Sequence, residues 1–145
     1  IAEGTGAPAT TSILANNDLF RRHGVKKFGL VTPYTGDVQA RILENYRAAG
    51  FDCVAERHLG LSDNYSFSEV GQDQVEAMCR EVAAEGAAAI SIICTNMRGA
   101  TLAAKLEDEL GVTIYDSISV VVLRALELAG QDPARVQGWG RIFNA

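Results

Sequence analysis

The feature that most constrains this chain is a regular alternation of short β-branched runs with longer amphipathic stretches. "KKFGLVT" (26–32), "DCVAERHLGL" (52–61), the nearly unbroken apolar run from Ala87 to Ile93 and "VTIYD" (112–116) read as strands. Each is followed by a polar loop or a stretch of helical spacing. This order is the signature of βαβ units around a parallel sheet with helices on its faces, an α/β fold of flavodoxin-like form. The Ala87–Ile93 run has the pattern of a central strand covered on both sides.

Between the strands, Val38, Ile42, Leu43 and Tyr46 recur at helical spacing until Gly50. Ser66 to Glu69 has the S-x-x-E form of a capping box, predicting a helix that carries Val70, Val75, Met78 and Val82 and fades near Gly86. A helix from about Met97 to Leu110 stops at Gly111, and Ser117 is expected to cap a helix reaching Ala129 and Gly130. "TTSILANNDLFRRHG" reads as a helix with Ile13, Leu14 and Phe20 inward. The tail "VQGWGRIFNA" reads as irregular or as a short edge strand.

Charge and cysteine usage narrow the function classes. A net charge of −5 with no basic block longer than Arg21-Arg22-His23 argues against a nucleic-acid or anionic-membrane partner. No apolar run approaches the ~18 residues of a membrane span, and the first residues lack a signal-peptide pattern. Three cysteines without a C-x-x-C make neither a disulfide framework nor a zinc site, so free thiols and a cytoplasmic location are expected. The two histidines, His23 and His58, form no i,i+4 pair, and no metal site is expected. The chain is long enough for one core, yet it opens on Ile1 and reads as a fragment.

In open parallel sheets, ligands bind beyond the carboxyl ends of the strands. Those positions hold Thr32 to Thr35 after the first strand, Ser62 to Asn64 after the second, Cys94 to Asn96 after the third, and Asp116 and Ser117 after the fourth. Cys94 has two readings. A helix N-terminus following it would favour a thiolate, whereas a cysteine at the end of an apolar strand is commonly inert packing. Cys53, near the amino end of its strand, and Cys79, mid-helix, read as structural. "CTNMR" is too short to close a phosphatase C-x5-R cradle. "TPYTGDV" places Asp37 where a flavodoxin-type loop would need to attract phosphate.

Taken together, "VTPY", "LGLSDNYSFSEV", "CTNMR", "LEDELGVTIYDS" and "GWGRIF" resemble the aspartate/glutamate racemase superfamily, in the branch of maleate cis-trans isomerases and arylmalonate decarboxylases. The resemblance runs over essentially the whole chain. Cys-Thr-Asn is similar to the isomerase side, the decarboxylases typically having glycines after the matching cysteine.

The resemblance implies a two-lobed, pseudo-symmetric fold with the active site between the lobes and one cysteine from each. Cys94 matches the second cysteine, Tyr34 a tyrosine that hydrogen-bonds a substrate carboxylate, and Asn64 an asparagine that does likewise. The backbone N–H groups of Thr95 and Asn96 would complete a carboxylate or enediolate pocket. The family's first cysteine lies upstream of the part matched by "GTGAPATTS", before this sequence starts. Residues 24–117 would then be an intact second lobe, with residues 1–23 and 118–145 packing on the first lobe.

The implied activity is cofactor-independent isomerisation of a small dicarboxylate, maleate to fumarate. A racemase or decarboxylase using the same cysteine is the alternative within the superfamily, and a non-catalytic flavodoxin-like binding module the alternative outside it. The partners expected are the dicarboxylate, and either further copies of the chain or the missing N-terminal lobe.

Overall fold

Successive side chains of β1 (Lys27–Thr32) enter two different cores, which is what a strand covered on both faces must do. In the computed structural model, which describes residues 1–144, β1 pairs in parallel with β2 (Asp52–His58) and with β3 (Ala89–Ile92). β3 pairs in parallel with β4 (Thr113–Asp116). The sheet order is β2-β1-β3-β4, an all-parallel α/β sheet flanked by helices.

One face carries Val31, Ile90, Ile92 and Ile114 against α4 (Asn64–Glu69), α5 (Gln72–Ala84) and α6 (Ala103–Leu110). The other carries Phe28, Leu30, Ala89 and Tyr115 beneath α2 (Ser12–Arg22), α3 (Gly36–Ala48) and α7 (Ser117–Leu128). A single-turn helix, α1 (Ala2–Thr5), precedes them and buries nothing. All four residues of β3 are buried, as a central strand requires. On the second face Phe20 anchors an aromatic cluster, with ring centroids 5.2 Å from Phe28, 5.3 Å from Phe51 and 4.8 Å from Tyr115.

Several helices depart from the sequence pattern, each for a local reason. In α2, Phe20 points inward but Ile13 and Leu14 are exposed; the buried stripe is Ala15, Asn16, Leu19 and Phe20. Asn16 is accepted there because its amide donates to the Tyr46 hydroxyl (3.2 Å) and its carbonyl accepts from Ser91 (3.1 Å). In α3, Val38 is exposed and Gln39 is buried. The Gln39 amide is satisfied by Thr32 at 2.7 Å and by Glu56 at 2.7 Å.

The expected capping box is not one. Ser66 lies inside α4, whose cap is Asp63, with Oδ1 accepting from the Ser66 N–H at 2.9 Å; α5 begins only after extended backbone at Val70 and Gly71. Likewise the cap of α7 is Asp116, not Ser117. Asp116 Oδ1 accepts from the N–H groups of Ile118 (2.8 Å) and Ser119 (3.3 Å), while the Ser117 hydroxyl donates to the Ile92 carbonyl. After Cys94 the chain makes a turn and a 3-10 segment, Ala100–Leu102, so α6 starts at Ala103 rather than near Met97.

The tail forms 3-10 turns at Pro133–Arg135 and Arg141–Asn144 instead of an edge strand, with Ile142 and Phe143 buried. Glu107 pins it, accepting from the Arg141 N–H (2.6 Å) and the Ile114 N–H (2.9 Å). Ala145 lies outside the described residues. Among the described residues no helix is long and apolar enough to cross a membrane.

Candidate active site

The order β2-β1-β3-β4 reverses direction between β1 and β3, and the crevice at the carboxyl ends of such a pair is where parallel α/β sheets take ligands. Tyr34 follows β1 and Cys94 follows β3, so the topology sets them on the two sides of that crevice. Tyr34 packs against the core cluster that contains Cys94. The Tyr34 phenol is pushed well above its ordinary range by burial first, then by its nearness to Cys94. The phenol therefore stays protonated and available as a donor at neutral pH. Its ring is half-buried and fixed edge-on against Phe67 of α4 at 5.3 Å.

Three loops are stitched together around this pair. The Gly60 and Leu61 N–H groups donate to the carbonyls of Tyr34 (3.0 Å) and Pro33 (2.8 Å), joining the loop after β2 to the loop after β1. Asn96 Nδ2 donates to the Asn64 carbonyl at 3.1 Å, joining the loop after β3 to the start of α4. The structure thus brings Tyr34, Asn64, Cys94, Thr95 and Asn96 to one end of the sheet. Cys94 is buried at 5 % exposure, whereas Thr95, Asn96 and Asn64 are exposed. Asn64 meets the loop through its backbone carbonyl, and its side chain makes no hydrogen bond among the described residues.

One reason for expecting a reactive Cys94 is corrected. The helix whose N-terminus was to face the thiol begins at Ala103, and the residues between are a turn closed by Met97 N–H to the Cys94 carbonyl (3.3 Å) and a 3-10 segment. The helix does not directly follow the thiol, so adjacency in the chain supplies no helix N-terminus at Cys94.

The other candidate groups lie apart. Burial pushes the half-buried Cys53 thiol to about 11 and the buried Cys79 thiol to about 12. His23 bonds to the Tyr115 hydroxyl at 2.9 Å and His58 to Glu56 at 2.9 Å. Asp37, bonded by the Thr35 hydroxyl at 2.6 Å, is held below the usual carboxylate range and keeps a negative charge at the start of α3. Among the described residues no three His, Cys, Asp or Glu side chains come together as metal ligands.

Sequence reasoning passed over Phe67, the ring that packs edge-on against Tyr34, and named Asp116 only as a strand-end position without a role, whereas it is a fully buried carboxylic acid at the end of β4. Burial raises the Asp116 carboxyl to about 6, opposed only by its two cap N–H groups. The available signal was an acidic residue directly after a strand and directly before an apolar helix.

The fold and the site together define a class: a parallel α/β fold carrying a thiol and a phenol at its topological switch point. Within that class the chain belongs to the arylmalonate decarboxylase family, whose sequence model matches residues 1–143. The arylmalonate decarboxylase of Bordetella bronchiseptica is 26% identical over 144 residues, covering 98% of this chain and 60% of that protein. A crystal structure of arylmalonate decarboxylase superposes with a TM-score of 0.87 at 25% identity, over 99% of this chain and 64% of the other.

A Nocardia farcinica maleate cis-trans isomerase, a cysteine-to-serine mutant with a covalently bound succinylcysteine intermediate, shares the fold. Its TM-score is 0.85 at 23% identity, over 91% of this chain and 54% of that one. These matches place the chain in the isomerase and decarboxylase branch of the racemase superfamily. The chain spans less than two thirds of the length of these relatives.

Proposed function

We propose that this chain is the second lobe of a cofactor-independent, cysteine-based isomerase of small dicarboxylates, of the maleate-to-fumarate type. The observation that carries the reading is the placement of Cys94 and Tyr34 at the carboxyl ends of the neighbouring strands β3 and β1, packed into one cluster at the switch point. In this mechanism a thiolate from the first lobe adds to one carbon of the double bond, and Cys94 gives its S–H proton to the other carbon. The former double bond, now single, rotates. The Cys94 thiolate takes that proton back, the C–S bond breaks and the trans diacid leaves with both thiols as they began.

Tyr34 and Asn64 anchor the carboxylates, and the N–H groups of Thr95 and Asn96 receive the negative charge that develops next to the reacting carbon. The succinylcysteine of the Nocardia farcinica enzyme is the kind of adduct this route forms. In the same reading residues 24–117 are the core of the second lobe, and residues 1–23 and 118–145 meet the first lobe. The outward apolar side chains Ile13, Leu14, Ile118, Val122 and Trp139 support this.

The family match favours a second reading, decarboxylation, in which carbon dioxide leaves a malonate-type diacid and the Cys94 thiol protonates the enediolate that remains. A racemase would use Cys94 for the same proton. One experiment separates the readings: the full-length protein is given maleate and, separately, an arylmalonate, with products followed by NMR, and Cys94→Ala is compared. Fumarate formation lost in Cys94→Ala supports the isomerase. Turnover of the arylmalonate alone replaces it with the decarboxylase, and undiminished turnover in Cys94→Ala removes Cys94 from the chemistry. Failure to turn over either compound favours the racemase or the non-catalytic binding module.

A further inference from the structure

Asp116 is a fully buried acidic side chain at the site end of the sheet, and among the described residues no cation pairs with it. Its relative exposure is 0%, Oδ1 is spent on the cap of α7, and Oδ2 makes no hydrogen bond among the described residues. Capping alone does not account for it. Serine and asparagine cap as well as aspartate and leave no carboxylate oxygen buried without a partner, a state that costs stability.

What lies against Oδ2 is Gly99. Asp116 is the register partner of Ile92, and a Cβ placed on Gly99 would stand 2.6 Å from Asp116 Oδ2 and 2.8 Å from Ile92 Cδ1. Gly99 has φ −80°, which any residue adopts, so its lack of a side chain answers to this close approach and not to its backbone angle. Gly99 also stands between two tied segments. Met97 N–H closes the Cys94 turn on one side, and Leu102 N–H bonds the Gly99 carbonyl at 2.9 Å on the other.

We propose that Asp116 is a positioning residue for Cys94: its carboxyl group is the seat on which the Cys94–Gly99 loop rests at the end of β3 and β4. This inference rests on the reading of Cys94 as the reactive thiol. Burial without a neutralising cation raises the carboxyl to about 6, so the group lies against the loop backbone as a neutral acid below that pH and as a buried carboxylate above it. The titratable group that faces Asp116 from α5 is Cys79, whose thiol is raised in part by the Asp116 charge; on α6, Glu107 is turned away to the Ile114 and Arg141 amides. The loop contributes Gly99 and β3 contributes Ile92, neither of them charged.

The test reads thiol accessibility, which needs no substrate, so it stands apart from the identity of the reaction. In the full-length protein, the rate of alkylation by iodoacetamide is measured for each cysteine by peptide mass mapping. Three variants are compared with the parent: Asp116→Ser, which keeps a capping oxygen but withdraws the seat, Asp116→Asn, which keeps both, and Gly99→Ala. Cys94 is expected to react at least fivefold faster in Asp116→Ser and Gly99→Ala, with Cys79, in the same core, within twofold of the parent and Asp116→Asn restoring the parent rate at Cys94. Should Gly99→Ala fail to fold, Asp116→Ser decides. A Cys94 rate unchanged in Asp116→Ser, or Cys79 and Cys94 accelerating together, overturns the proposal.

Discussion

Tyr34 and Cys94 are far apart in sequence and come to one crevice because β1 and β3 are neighbours in the sheet. A phenol held protonated beside a thiol donates a hydrogen bond to a carboxylate without bringing a second negative charge. In Tyr34→Phe the ring still packs on Phe67 but the donor is gone. A hydrogen bond to a charged group contributes ~1.5–3 kcal/mol, so steady-state kinetics should show kcat/KM lowered about 10- to 150-fold, and unchanged kinetics would count against the role.

Asp116 carries a second residue-scale prediction. Its folded carboxyl titrates at about 6 against an ordinary 3.8. Between these values the folded protein holds a proton that the unfolded chain has lost, so the stabilising contribution is complete below pH 3.8 and disappears as pH rises through about 6. Each pKa unit is worth ~1.4 kcal/mol, so Asp116→Asn should become more stable relative to the parent by on the order of 3 kcal/mol between pH 4 and pH 7.5. Urea denaturation at both pH values measures the difference, and a pH-independent difference would contradict the buried acid.

At the scale of elements, the strands and the existence of most helices were legible because their periods are strong; the break between α4 and α5, the start of α6 and the local capping were not. Ser66 and Ser117 have the right residue type for caps, but an aspartate stands nearby in each case, Asp63 and Asp116, and its carboxylate takes the free N–H groups instead. The inward stripes of α2 and α3 were misjudged because Asn16 and Gln39 are buried on hydrogen bonds to partners remote in sequence. Helix-on-sheet packing also fixes Gly29 in β1, where an added Cβ would overlap Val82 Cγ1 of α5 and come within 2.9 Å of Ala87 Cβ. Gly29→Ala should cost about 1–3 kcal/mol by overpacking, read as a lowered denaturation midpoint, and a Val82→Ala change should recover part of it in a double-mutant cycle. A Gly29→Ala protein as stable as the parent would mean that α5 sits further from β1 than the structure places it.

The whole molecule presents apolar side chains on the outer sides of α2 and α7: Ile13, Leu14, Ile118 and Val122, joined by Trp139 from the tail. The inner sides of both helices pack on the sheet through Leu19, Phe20, Val120 and Leu123. On the proposal that the first lobe covers the outer sides, Val122→Asp in the full-length protein buries an unpaired charge. A loss of more than about 2 kcal/mol is then expected in chemical denaturation. A change within about 0.5 kcal/mol, ordinary for a surface position, would leave that face uncovered.

By itself the sequence determined the α/β class, the parallel strands and the strand-end positions of Tyr34 and Cys94, because these follow from periodicity, which is local. Its motifs also carried the family, which the comparisons bear out. Only the tertiary structure decided that Tyr34 packs on the cluster holding Cys94, that a turn and a 3-10 segment separate Cys94 from α6, and that Asp116 lies buried under Gly99. Those outcomes depend on strand order and on which side chains meet across the sheet, and contacts between residues distant in the chain leave no period for a sequence pattern to show.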